Sequence, residues 1–139
     1  MLFEILFLLI LCIIAIMDMK CRKIPNSMVV ILLIIGLANI FTVEVPFQHI
    51  IGSIFPAIVL LAFSKRRHIG SGDIKLMIAV GLYYGYLQAA IMLICALLAV
   101  ACYALLLQRL QKPEVKTVPF APFIAAFCLL GSVFWQVWL

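Results

Sequence analysis

Charged residues are scarce in this sequence. Only 11% of the 139 residues are charged, whereas 68% are hydrophobic. This balance excludes a water-soluble domain, because one small core could not enclose so much apolar surface. Lipid is therefore the expected solvent for much of the chain. About 20 helical residues cross a bilayer, so the length allows about six short spans with tight loops, in a single membrane domain covering residues 1–139.

Signatures of metal, redox and nucleotide chemistry are absent as well. The five cysteines form no CxxC pair and no zinc-like spacing with the two histidines, so we interpret them as packing residues. No phosphate loop, serine triad or nucleic-acid module is present. The net charge of +5 is attributed to membrane topology. We therefore expect no cofactor, no metal and no nucleic-acid partner, and a surface that contacts membrane lipid.

Clusters of charge divide the sequence into five apolar segments. These segments are Leu2–Met17, Ser27–Val43, Phe47–Phe63, Ile74–Leu107 and Val118–Leu139. The first has Glu4 where a secretory signal has basic residues and no A-x-A site before Asp18, so we expect it to be retained as a span. Pro25 and Asn26 are expected to start the second, with Asn26 or Ser27 as its N-cap.

The segment Ile74–Leu107 is too long for one span. Its roughly 34 residues would make a helix of about 51 Å, well beyond the hydrocarbon thickness of about 30 Å. Gly81, Gly85 and Gln88 offer a break, and Tyr83, Tyr84 and Tyr86 suit a membrane–water interface. The sequence therefore predicts an all-α membrane protein with six transmembrane helices.

Basic residues set the predicted orientation. All ten lysines and arginines fall in or beside the first, third and fifth loops. Because basic residues prefer the cytoplasmic side, these loops are expected in the cytoplasm and both termini outside. Asp18 ends the first span and Asp73 begins the fourth, so both are expected at the cytoplasmic face.

These two aspartates differ from the other acidic residues, which have ordinary positions near the outer surface or in a polar loop. Asp18 follows a short apolar run, where an ionisable group is costly and commonly functional. Each also has a purely structural interpretation: Asp18 could pair with Lys20 or Arg22, and Asp73 could cap a helix and interact with its dipole.

Three sequence motifs resemble those of a known family. They are Asp18 followed by Ile24-Pro25-Asn26, Gly70-Ser71-Gly72-Asp73 with Lys75 two residues on, and Val118-Pro119-Phe120-Ala121-Pro122-Phe123. In these features the chain resembles the type IV prepilin peptidases, which are GxGD membrane aspartyl proteases. The resemblance implies six membrane helices, Asp18 and Asp73 as the catalytic pair, and prepilins or pseudopilins as substrates that lose a short leader at the cytoplasmic face of the bacterial inner membrane.

Larger members of that family carry an insert with paired CxxC motifs that accompanies methylation of the new N-terminus. Because this sequence has no such motif, the resemblance implies a compact peptidase without methyltransferase activity, similar to those of tight-adherence (Flp-type) pili. In such a pair one carboxyl is charged and the other neutral. Helix position favours the anion of Asp73 and hence Asp73 as the initial base.

Two rival interpretations remain at this level. In a small proton- or ion-coupled transporter, the two aspartates would be ion-binding groups within the bundle. Transporters more naturally hold such charges near the bilayer midplane and often contain repeats, whereas these lie at one face and no repeat is visible. The third interpretation is a structural partner in a secretion complex, in which the paired acidic motifs have no purpose.

Overall fold

The computed structural model describes residues 2–21, 24–64, 70–109 and 120–138. These residues form six α-helices, which confirms the predicted all-α class and the number of helices. The helices are α1 (Leu2–Cys21), α2 (Asn26–Ile40), α3 (Pro46–Ser64), α4 (Ser71–Tyr84), α5 (Tyr86–Arg109) and α6 (Ala121–Trp138).

Helix α4 is the centre of the bundle and packs against α2, α3 and α5, while α1 packs against α6 and α2. The core lies where these helices meet and is built of closely packed aliphatic side chains, among them Leu11, Leu32, Leu60, Leu76, Leu93 and Ile124. The start of α6 contacts Asp18 in the last turn of α1, and the charge of Asp18 acts on Asp73 in the first turn of α4. The end of α1 and the starts of α4 and α6 therefore lie at the same end of the bundle.

The outward faces of the helices are as apolar as the core. Ile5, Leu9 and Ile16 on α1 and Leu98 and Leu105 on α5 are all exposed. A helix that is apolar all round differs from the surface helix of a soluble protein, which turns a polar face outward.

By length and composition, one stretch of the described residues is long and apolar enough to cross a membrane, Tyr86–Leu107 of α5. The apolar parts of three other helices are shorter: Asn26–Ile40, Pro46–Ala62 and Ala121–Phe134. The six spans and their orientation therefore stay a prediction.

The predicted break between α4 and α5 is confirmed at Gly85. Its φ of +84° lies in the left-handed region, where a residue without Cβ is favoured. The interfacial position predicted for Tyr83, Tyr84 and Tyr86 stays a prediction; the ring of Tyr83 lies on the inner face of α4 and stacks on Phe7 with centroids 4.3 Å apart. Tyr84 packs edge-on against the same phenylalanine, and Tyr86 is exposed.

Candidate active site

Asp18 belongs to the buried stripe of α1. Phe7, Leu11 and Ile14 are buried at spacings of four and three residues, and Asp18 follows four residues later on the same face. Its side chain is only 6% exposed, although it stands in the last turn of the helix. The helical register therefore turns this carboxyl toward the interior.

The carboxylate of Asp18 meets the N-terminus of α6. The backbone N–H of Ala121 donates a hydrogen bond to Asp18 Oδ2 with an N···O distance of 3.3 Å. Asp18 directly follows the apolar segment Leu2–Met17, and Asp73 directly precedes Ile74–Leu107, so both lie just outside the apolar segments. Burial raises the pKa of Asp18, while hydrogen bonds from the backbone of Ala121 and Phe120 counteract part of this rise. The positive end of the α6 dipole also favours the anion.

Asp73 is the third residue of α4 and lies on the face that continues into Leu76, Met77 and Val80, which are all buried. Burial raises the pKa of Asp73 to about 6, with a further contribution from the charge on Asp18 and an opposing hydrogen bond from the backbone of Gly70. The structure thus brings the two carboxyls close enough for one charge to act on the other.

The segment Ile24-Pro25-Asn26 supports the first turn of α4. Ile24 lies directly over Gly72, and a Cβ added to Gly72 would come within 3.0 Å of the Ile24 Cβ. Lys75 Nζ donates a hydrogen bond to Asn26 Oδ1 at 3.2 Å. The predicted capping of α2 by Asn26 or Ser27 is wrong: Pro25 is the N-cap, without a side-chain hydrogen bond, and Asn26 is instead turned toward α4.

Two neighbouring carboxyls that repel each other, one buried and one partly buried, favour a state in which only one of them is charged. The charged member can take a proton from water, and the neutral member can donate one to a carbonyl oxygen. Such a pair provides both functions that peptide hydrolysis requires.

The sequence matches a known protein family. The model of the type IV leader peptidase family matches residues 5–105, which include both aspartates. The chain belongs to the type IV leader peptidase family. It is thus a prepilin leader peptidase, an aspartic-type endopeptidase of a membrane-bound family. No curated protein and no solved structure matches the chain.

Family membership decides among the three interpretations of the sequence in favour of the peptidase. Of the three motifs that carried the resemblance, the last lies beyond the matched residues, and its Val118 and Pro119 are outside the described residues.

Sequence reasoning missed the contribution of α6 to the candidate site. Phe120 and Ala121 act through their backbone N–H groups, which no side-chain pattern reveals. Pro122, in the first turn of α6, does mark where a helix starts, since proline is well tolerated there. No local signal indicates that this helix start lies against Asp18.

His49 stands apart from the pair. His49 lies in α3, and its Nδ1 is 3.0 Å from the carbonyl oxygen of Leu82 in the last turn of α4, at the opposite end of that helix from Asp73. His68 lies outside the described residues. Within residues 2–21, 24–64, 70–109 and 120–138, no three His, Cys, Asp or Glu side chains are grouped as metal ligands would be.

Proposed function

We propose that Asp18 and Asp73 are the catalytic pair of this leader peptidase. The observation that carries the proposal is the convergence of the two carboxyls: each lies on the inner face of its helix, both are at one end of the bundle, and the charge of Asp18 acts on Asp73. Ionisable groups perturbed by burial and by a specific charged neighbour are characteristic of catalytic sites.

The surroundings support Asp18 as the initial base and Asp73 as the acid, the reverse of the assignment from helix position alone. Two backbone N–H groups stabilise the Asp18 anion, and that anion in turn favours the protonated form of Asp73. The prediction from the sequence was the opposite, because it took account only of the position of Asp18 near the C-terminal end of its own helix. The start of α6 reverses the electrostatic balance there.

The reaction then proceeds by two proton transfers. Asp18 takes a proton from water as the water oxygen attacks the scissile carbonyl carbon, and Asp73 donates its proton to the carbonyl oxygen. In the collapse of the resulting diol, Asp73 recovers a proton from a hydroxyl, and the proton on Asp18 passes to the leaving amine. Both carboxyls return to their initial states.

This assignment gives a pH dependence for kcat/KM. Activity needs the proton on Asp73, whose pKa is about 6, so we expect kcat/KM to fall as the pH rises above about 6. The observed midpoint belongs to the coupled pair rather than to one residue. A rate that keeps rising between pH 6 and 8 would contradict the assignment of Asp73 as the acid.

We also propose that the six helices are spans of a bacterial inner membrane with both termini outside, and that the pair acts at the cytoplasmic face. The apolar outward faces support lipid as their solvent. The end of α1 and the starts of α4 and α6, which surround the pair, adjoin the loops that carry the basic residues. The substrates proposed are Flp-type prepilins, because the chain lacks CxxC motifs.

The test is co-expression with a tagged Flp-type prepilin, followed by detection of leader removal. We expect Asp18→Ala and Asp73→Ala each to lower the cleavage rate by about 10²- to 10⁴-fold, the usual contribution of a general acid or base. Glu44→Ala, at an exposed carboxylate between α2 and α3, is the matched control and should cleave normally. Normal cleavage by either aspartate variant would overturn the pair.

Two further measurements test the remaining parts of the proposal. Cleavage of another type IV prepilin, but not of the Flp-type one, would overturn the substrate assignment. Cysteine labelling from the two sides of the membrane should find both termini outside, and the opposite result would overturn the topology.

A further inference from the structure

The two glycines before Asp73 have different surroundings. A Cβ added to Gly72 would press on three atoms of the Ile24 side chain at 3.0–3.4 Å. Gly70 is exposed, and a Cβ there would meet, among the described residues, only Asp73 Oδ2 at 3.4 Å and Gly72 N at 4.0 Å. Packing therefore explains the absence of a side chain at Gly72 and leaves its absence at Gly70 unexplained.

Backbone conformation does not require glycine at position 70 either. Gly70 is the N-cap of α4 with φ −63° and ψ 141°, values that any L-residue adopts readily. Its backbone hydrogen bond to the Asp73 side chain would be kept by alanine. Glycine is a better N-cap than alanine or valine, which gives one reason for its presence here. Its other consequence, among the described residues, is open space beside one carboxylate oxygen of Asp73.

We propose that Gly70 is a substrate-contacting residue that keeps the approach to Asp73 open for the scissile peptide. The inference rests on the proposed catalytic role of Asp73. To receive a proton, the scissile carbonyl oxygen has to come within about 2.6–3.2 Å of the Asp73 carboxyl. A Cβ at 3.4 Å from Oδ2 would occupy the same contact shell and displace the extended peptide that carries this carbonyl.

The proposal gives the GxGD sequence two separate functions. Gly72 lets the segment around Ile24 pack against α4 and so fixes where Asp73 stands. Gly70 leaves the surface beside the carboxyl flat, so that peptide backbone can lie against it. Substitution at Gly72 should therefore affect folding, and substitution at Gly70 should affect catalysis.

The experiment compares full-length Gly70→Ala and Gly70→Val with wild type, using purified prepilin and measuring kcat, KM and Tm. We expect kcat/KM to fall by about 10- to 100-fold for alanine, the scale of a 1 Å misplacement, and further for valine. The Tm should fall only slightly, because alanine and valine are poorer N-caps than glycine, and the midpoint of the pH–rate profile should be unchanged. Unchanged kcat/KM for Gly70→Val, a fall in activity no greater than the loss of folded protein, or a shifted midpoint would each overturn the proposal.

Gly72→Ala is the matched substitution in the same turn. It should lower Tm and activity together, and Ile24→Ala in the same chain should restore part of both, because it removes two of the three close contacts. Failure of the proposed function is distinguishable: if Asp73→Ala cleaves normally, the catalytic pair is wrong. If Asp73→Ala is inactive and Gly70→Val is fully active, only the role of Gly70 is wrong.

Discussion

The two ends of α4 are held by different means. At the last turn, polar groups are paired: His49 binds the carbonyl of Leu82 and Asn39 donates to the carbonyl of Tyr83 at 3.1 Å. The backbones of Gly52 and Gly81 touch nearby. At the first turn, Asp73 is partly buried near a second carboxyl that raises its pKa. The last turn is arranged for stability, whereas the first turn retains an unfavourable interaction between two carboxyls.

The largest expected loss of stability follows a substitution near the end of α4, where its backbone packs tightly against α3. A Cβ on Gly81 would overlap the carbonyl of Gly52, so Gly81→Val would force α3 and α4 apart. We expect a loss of about 3 kcal/mol in the free energy of unfolding, measured by thermal denaturation in detergent.

Gly36→Ala is the matched control for this prediction. Its Cβ would meet Cβ and Cδ2 of Leu82 at 3.3 Å, a contact that a shift of a few tenths of an ångström relieves, whereas the Cβ of Gly81 would overlap backbone. Its loss should be below about 1 kcal/mol. Equal stability of Gly81→Val and wild type would contradict a backbone contact between α3 and α4.

A smaller change in stability, an increase rather than a loss, is expected when Asp73 in the first turn of α4 is replaced. The pKa of Asp73 is about 6 in the folded protein, against an ordinary value of 3.8. The folded state therefore binds more protons between these values, and this residue's contribution to stability falls as the pH rises from about 4 to above 6. Asp73→Asn should remove this dependence and raise the Tm at pH 8.

The measurement is the difference in Tm between wild type and Asp73→Asn across pH 4–8, which cancels the titration of other groups. Glu44→Gln, at an exposed position, should give no such difference. A higher Tm for wild type than for Asp73→Asn at pH 8 would show that the Asp73 carboxylate is stabilised rather than strained.

The smallest effect concerns the exposed hydrogen bond between Lys75 and Asn26. Lys75→Met and Asn26→Ala should each lower the free energy of unfolding by about 0.5–1 kcal/mol. The double variant should lose no more than either single variant, because the two side chains share one interaction. If the losses of the two single variants added fully in the double variant, this would contradict a hydrogen bond between the two side chains. Lys20→Met, at an exposed lysine of α1, is the control.

The sequence predicted those features that depend on local spacing. Apolar segments between charges predicted six helices, and Gly85 marked the α4–α5 break because only local chain geometry is involved. The register Phe7, Leu11, Ile14, Asp18 would also have predicted the inward direction of Asp18. The contact between Asp18 and α6 was not predictable, since it depends on the lateral arrangement of helices. The same limitation explains the error at Asn26, whose side chain pairs with Lys75 of α4 and does not cap its own helix.

The bond between Asp18 and Ala121 also has a consequence for biosynthesis. The carboxylate and its N–H donor are 103 residues apart in the chain. At about 5–20 residues per second, a ribosome needs on the order of 5–20 s to add Ala121 after it has added Asp18. During that interval Asp18 lacks the helix start that stabilises its anion. The contact between Asp18 and α6 therefore forms only after the segments that carry both aspartates have been synthesised.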